Sequence, residues 1–270
     1  MEQGHKLLAL DLDGTLLDEK NNITEKNLLA LKKAQQAGVE VVIATGRMLV
    51  SARPFFEKLV LSGPIITYNG ALVKDIKLDE IISHQPVNLE ITREIIKDTQ
   101  TKGLHLNLYL DDQLYVAEHN HQSRGYEKST GVTAKAVGSL LEFVDKPPTK
   151  LLVIEENREK FLRLLEEYRS RYKGKLMITE SKKHYLEFCD LEATKGKALH
   201  QVARKLNIPQ QRVIAVGDSN NDLPMIRWAG TGIAVESADP EIKNQADVIA
   251  PRPENDGIAY LIDKYVLTEQ

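Results

Sequence analysis

The sequence predicts an α/β protein: a parallel sheet covered by helices on both faces, interrupted by an inserted α+β domain. Three observations predict it. The first third of the chain alternates short β-branched apolar runs with a segment of helical periodicity, the pattern of strands buried on both faces. The last third repeats that grammar. From about Gln85 to His184 the strand-like runs are instead more polar and alternate, as in a sheet with one face open to solvent or to a partner surface.

Taken in order, Leu7 to Leu12 is an apolar strand and Thr24 to Gln36 a helix, with Leu28, Leu29, Leu31 and Ala34 at helical spacing. "GVEVVIATG" (38–46) is a strand bounded by glycines, and "PIITYNGALV" (64–73) carries an Asn69-Gly70 hairpin signal. The middle third offers strands in "HLNLYLDDQLYVAE" (105–118), helices near Leu89 to Lys102 and Glu156 to Tyr172, and a Pro-Pro break at 147–148 before another strand. "YLEFCD" (185–190) reads as a strand, and Lys195 to Leu206 as a helix capped by Thr194. "RVIAVGD" (212–218), "TGIAV" (231–235) and an edge strand in "ADVIAPRP" (246–253) follow, with a closing helix from about Gly257. The expected organisation is a discontinuous core, 1–84 and 187–270, around an insert at 85–186.

Composition limits the function classes. With 36 basic and 39 acidic side chains among 270 residues, the net charge of -3 gives no bulk attraction to nucleic acid or to a membrane surface. No apolar stretch approaches the roughly 20 residues needed to span a bilayer. The first apolar run is too short and too acidic for a signal peptide. One cysteine, Cys189, permits no intrachain disulfide and suits a reducing compartment, so a cytoplasmic location is expected. Nothing in the pattern fixes an oligomeric state.

In an open parallel sheet, ligands sit beyond the carboxyl ends of the strands. Four endings are expected at that edge: Asp11/Asp13, Thr45-Gly46-Arg47, the Asp190 to Lys195 stretch, and "GDSNND" at 217–222. Asp11 and Asp13 can point to one side, where two carboxylates repel unless a cation or a proton relieves them. Asp218 and Asp222 add acidic oxygens, and so few carboxylates suit Mg2+ better than Ca2+. An EF-hand is excluded, because Thr15, Leu16 and Asn22 stand where its third ligand, its glycine and its final glutamate belong. Each feature also has a plainer explanation. Asp-Leu-Asp-Gly can be a turn, Lys195 an exposed lysine opposing its helix dipole, and Asp222 an N-cap ahead of Pro224. Cys189 reads as a small core residue. Neither a P-loop nor a dinucleotide-binding glycine signature is present.

Together, "DLDGT" (11–15), "TGR" (45–47), "KGKAL" (195–199) and "GDSNND" (217–222) resemble the haloacid dehalogenase superfamily. Their order and spacing look like its Cof-type, class IIB sugar-phosphatase branch. The resemblance covers the whole chain. It implies a three-layer αβα Rossmann-like core with an inserted cap of the C2B type. It further implies a Mg2+-dependent phosphatase of small phosphorylated metabolites, sugar phosphates or phosphorylated cofactors. Asp11 would be the nucleophile and Asp13 the general acid and base. The metal would be held by the Asp11 carboxylate, the Asp13 backbone carbonyl and Asp218. Leu12, through its N–H, with Thr45, Gly46, Lys195 and Asn221 would grip the phosphoryl group; Arg47 would lie near the substrate, and Asp222 would orient the others.

Two other functions share parts of this pattern. A phosphomutase uses the same chemistry but returns the phosphoryl group to its substrate. A phospho-acceptor or sensing module also presents an aspartate at a strand end, but needs neither Asp13 nor a large inserted cap. An acid/base at position 13 favours turnover to free phosphate. In the insert, Asn107, Tyr109, Tyr115, Arg124 and Tyr126 are candidate substrate contacts by polarity alone.

Overall fold

The computed structural model describes residues 6–267. The chain divides into two compact units, Met1–Arg47, Ala52–Ser83 and Thr194–Gln270 in one, Met48–Ser51 and His84–Ala193 in the other. In chain order, β1 (Lys6–Leu10), α1 (Glu25–Gln36), β2 (Val39–Ile43) and α2 (Leu49–Lys58) lead to β3 (Pro64–Thr67), β4 (Leu72–Asp75) and β5 (Glu80–His84). Next come α3 (Leu89–Thr101), β6 (His105–Leu110), β7 (Gln113–Val116), α4 (His121–Thr130), β8 (Ala134–Ala136), α5 (Leu140–Phe143), β9 (Lys150–Ile154) and α6 (Arg158–Arg171). The hairpin β10 (Leu176–Lys182) and β11 (Tyr185–Asp190) precedes α7 (Lys195–Lys205), β12 (Val213–Gly217), α8 (Leu223–Trp228), β13 (Thr231–Val235) and β14 (Val248–Ala250).

The first unit is built on a parallel sheet ordered β14-β13-β12-β1-β2. Leu7 to Leu10 of β1 and Val213 to Val216 of β12 are apolar and buried on both faces; on one of them Leu7 and Ala9 pack with Val42, Val213 and Ala215 against Ala198, Leu199 and Val202 of α7. Thr194 caps α7 through the Lys197 N–H, as the sequence predicts, and Thr24 caps α1 by accepting from the Asn27 N–H. β3 and β4 form the expected hairpin, Thr67 opposite Leu72, and β5 completes that three-stranded sheet.

The second unit is a six-stranded sheet ordered β10-β11-β9-β6-β7-β8. Two sequence expectations change here. β11, expected to straddle the return to the core at 186/187, lies wholly in this sheet, because its backbone pairs with β10 on one side and β9 on the other. Local pattern cannot show which sheet a strand joins. The polar positions of β6, expected on an open face, are buried. His105 bonds to Asn107 Oδ1 through Nε2 (2.8 Å) and to Asn120 Nδ2 through Nδ1 (3.0 Å), and the Tyr109 hydroxyl donates to that of Tyr126 (2.7 Å). Beside them Lys150 and Glu187 form a buried ion pair at 3.0 Å. Burial alone would lower Lys150, but Glu187 outweighs it and holds the ammonium above its usual range. Polarity thus marked a satisfied internal network rather than solvent exposure. Asn107, Tyr109 and Tyr126 are engaged in it, while Tyr115 is half-buried against Phe143. Cys189 is buried, which pushes its thiol up to about 12.

The opposite face carries the apolar core beneath α3 and α6, including Leu106, Leu108, Leu151, Val153, Leu186 and Phe188. At its margin Asp98 accepts from Lys102 (2.8 Å), from the Tyr168 hydroxyl (2.5 Å) and from Arg171 (3.1 Å). Burial would raise this carboxyl, but the three donors outweigh it and hold it down at about 2. A carboxyl depressed by folding contributes stability above its unfolded value near 4, and loses it as pH falls through the folded value. Allowing for partial exposure, the contribution is about 1 kcal/mol. The wild type should therefore exceed Asp98→Asn by about that amount at pH 6, and the gap should close between pH 4 and pH 2 in denaturant titrations. A gap that stays constant across that window contradicts the assignment. No described helix is long and apolar enough to cross a membrane.

Candidate active site

β12, β1 and β2 are adjacent and parallel, so their carboxyl ends open on one edge. Asp11 follows β1 in the middle, with Thr45 following β2 on one side and Asp218 following β12 on the other. The ladder continues past the strands into the site: the Asp11 N–H donates to Val216 O, Ala44 N–H to Leu10 O, and Thr45 N–H to Ile66 O. Each chemical group is thereby fixed by backbone bonding within a residue or two of its side chain.

Lys195 is not the exposed lysine of the plainer explanation. It is fully buried, and its ammonium donates to Asp11 Oδ1 and Asp222 Oδ1, both at 2.6 Å. It opens α7 behind Thr194, as the sequence predicts, but the strand before it, β11, ends in the other unit rather than at this sheet's edge. Asp222 precedes α8 but makes no side-chain capping bond. Its second oxygen turns back to accept the N–H groups of Asp218 (3.1 Å) and Ser219 (3.0 Å). Asp222 therefore couples the lysine to the loop that carries Asp218. Thr15 donates to Asp218 Oδ1 at 3.2 Å.

The electrostatics are unbalanced. Asp11, Asp218 and Asp222 offer oxygens within 4.8 Å of one another, and one ammonium serves them. Burial, followed by the charge of Asp222, lifts Asp218 to about 6. Burial raises Asp11 well above the carboxylate range against the pull of Lys195. Asp11 and Asp222, both bonded to its ammonium, hold Lys195 above its usual range despite burial. A centre with surplus carboxylates and one fixed cation is suited to a divalent ion. Both oxygens of Asp222 are already committed, so the donors that fit are Asp11 and Asp218.

Asp13 and Arg47 differ from expectation in what they touch. The Asp13 carboxylate is half exposed and forked by Arg47, whose Nε donates to Oδ2 (2.8 Å) and whose Nη2 donates to Oδ1. Arg47 also donates to Asn21 Oδ1 (2.8 Å), and its guanidinium lies 4.7 Å from the Phe55 ring centre. Sequence reasoning did not pair Arg47 with Asp13, nor name Asn21. Thr45 is buried, its hydroxyl accepting the Arg47 N–H (3.1 Å). Asn221 donates to Asn69 Oδ1 (2.9 Å) and accepts from Ser219 Oγ (2.7 Å). Asn69 is the other residue the sequence reading missed; its pairing with Gly70 was informative only as a turn signal.

A buried lysine thus grips a strand-end aspartate among further acidic groups at the carboxyl edge of a parallel sheet, where α/β enzymes hold their ligands. Known proteins of this design include close overall matches. The haloacid dehalogenase-like hydrolase family matches residues 8–262. Phosphatase YwpJ of Bacillus subtilis is 29% identical over 285 residues, covering 95% of this chain and 98% of that protein. The 5-amino-6-(5-phospho-D-ribitylamino)uracil phosphatase YwtE of the same organism is 29% identical over 284 residues, covering 96% and 97%. A crystal structure of a Thermotoga maritima protein superposes with a TM-score of 0.90 at 29% identity, over 99% of each chain. The protein belongs to the haloacid dehalogenase-like hydrolases.

Proposed function

We propose that this protein hydrolyses phosphate monoesters of small metabolites, sugar phosphates or phosphorylated cofactors, through an aspartyl-phosphate on Asp11. The observation that carries this reading is the buried Lys195 bridging Asp11 and Asp222 at the sheet edge. It fixes one carboxylate rigidly and sets a positive charge where phosphoryl oxygens would lie. Mg2+ is the proposed cofactor, held by Asp11, Asp218 and the Asp13 backbone carbonyl; bound there, it would neutralise carboxylate and phosphoryl charge.

In the first half-reaction an Asp11 oxygen attacks phosphorus, the bond from phosphorus to the ester oxygen breaks, and Asp13 gives a proton to the departing alkoxide. In the second, water attacks the same phosphorus, Asp13 takes its proton, and inorganic phosphate leaves with Asp11 restored. Thr45, Gly46, Lys195, Asn221 and the N–H of Leu12 would grip the phosphoryl oxygens in both steps. Asp222 would act through Lys195 and through the loop N–H groups that it accepts. Both Asp13 oxygens face Arg47 donors, so proton transfer follows release of that pair. Buried Cys189 suits the cytoplasmic location expected from the sequence.

The test is release of phosphate from p-nitrophenyl phosphate and a phosphometabolite panel, with and without Mg2+. In Asp13→Asn, turnover should fall by about 10²–10⁴-fold, the usual contribution of general acid–base help. About one hydroxylamine-sensitive phosphate per chain should then accumulate. Near-normal turnover in Asp13→Asn would remove its acid/base role; no Mg2+-dependent release by the wild type on any panel member would remove the phosphatase reading.

A further inference from the structure

The turn Tyr68–Gly70, which joins β3 to β4, is more than a hairpin connection. Tyr68, Asn69 and Gly70 have consecutive positive φ values of 51°, 59° and 102°. A buried tyrosine in that region is an outlier that its surroundings must impose, and such strain concentrates at functional positions. The surroundings here are the site. Tyr68 N–H donates to Arg47 O and Asn69 N–H to Thr45 O, both at 3.0 Å, so the turn wraps around the Thr45-Gly46-Arg47 backbone. Asn69 is buried, with its Oδ1 accepting from Asn221 Nδ2 at 2.9 Å. A Cβ on Gly46 would lie 2.7 Å from that same oxygen, and a Cβ on Gly70 would lie 2.4 Å from Thr194 O and 3.0 Å from Lys195 N. Three segments that carry phosphoryl-gripping groups thus meet one strained turn at close range.

We infer that Asn69 is a positioning residue for phosphoryl transfer, its amide oxygen fixing the Asn221 side chain relative to Thr45 and Gly46. The inference rests on the proposed phosphoryl-gripping role of Asn221. Asn221 has two Nδ2 hydrogens. With one given to Asn69 and its Oδ1 accepting from Ser219, the amide is held at both ends, and the second hydrogen has a set direction. Asparagine also tolerates the left-handed conformation that the turn requires. Both properties are needed at position 69, which accounts for an Asn in a turn that glycine alone would satisfy.

The test uses full-length protein, Mg2+, p-nitrophenyl phosphate and orthovanadate, whose trigonal-bipyramidal adducts mimic transferring phosphorus. Asn69→Gly keeps the backbone conformation and removes the acceptor; Asn69→Ser serves if the glycine variant does not fold. kcat/KM should fall by about 10-fold or more, as when the residue holding a reacting group is lost. The vanadate inhibition constant should rise in parallel, a readout independent of the fraction of folded enzyme. Asn69→Gly in an Asn221→Ala background should cost less than twofold further. An unchanged vanadate constant with a lowered Tm would leave the turn merely structural and overturn the inference. So would losses that multiply in the double variant. Wild-type protein without vanadate-sensitive phosphatase activity would instead fail at the proposed function itself.

Discussion

Lys195→Met is expected to destabilise the protein by about 3–5 kcal/mol and to abolish phosphate release. Replacing a whole buried ion cluster with apolar groups can be neutral, but removing one partner leaves the others uncompensated. Here the partner removed is the cation shared at 2.6 Å by Asp11 and Asp222, with Asp218 close by. Methionine fills the lysine volume, so cavity formation adds little and the loss reports charge. Mg2+ should recover part of the lost stability, because an ion that binds the folded state alone stabilises it by mass action. Calorimetry of wild type and variant, with and without Mg2+, checks both statements. A variant as stable as the wild type would show that Lys195 does not balance the acidic centre, and the electrostatic account of the site would fall.

Much of this arrangement was legible in the sequence, for a local reason. Strand and helix signals are short-range: an apolar run bounded by glycines gave β2, and a Thr ahead of a periodic segment gave the cap at Thr194. The motifs were legible because aspartates at the ends of apolar runs conflict with burial, and conflict of that kind marks function. What escaped depended on partners far along the chain. Asp222 satisfied every local rule for an N-cap, yet its oxygens went to Lys195 and to the loop N–H groups. His105, Asn107 and Tyr109 alternated like an exposed face, yet they bond to α4 and to one another. Tyr185–Asp190 had the period of a strand but no mark of which sheet would accept it. Asn69-Gly70 announced a turn truthfully and said nothing of the three segments that the turn would touch.

The nucleophile variant Asp11→Asn should move activity and stability in opposite directions. Loss of an attacking group in hydrolases commonly costs 10³-fold or more, about 4 kcal/mol of barrier, with remaining groups unable to substitute for it. Phosphate release should therefore fall at least that far. Stability should rise by about 1 kcal/mol, because asparagine can still accept from Lys195 through its amide oxygen while one buried negative charge is removed. The sign follows from the raised Asp11 carboxyl: a group whose charged form burial disfavours stabilises the fold when that charge is deleted. Asp11→Ala would not separate the effects, since it leaves Lys195 without an acceptor on that side. Paired measurements of turnover and calorimetric Tm decide the matter. Retained activity above about 0.1% of wild type would dismiss Asp11 as nucleophile, given the 10³-fold scale above. A clear fall in Tm would mean that Lys195 compensates Asp11 fully, and that the acidic surplus lies on Asp218 alone.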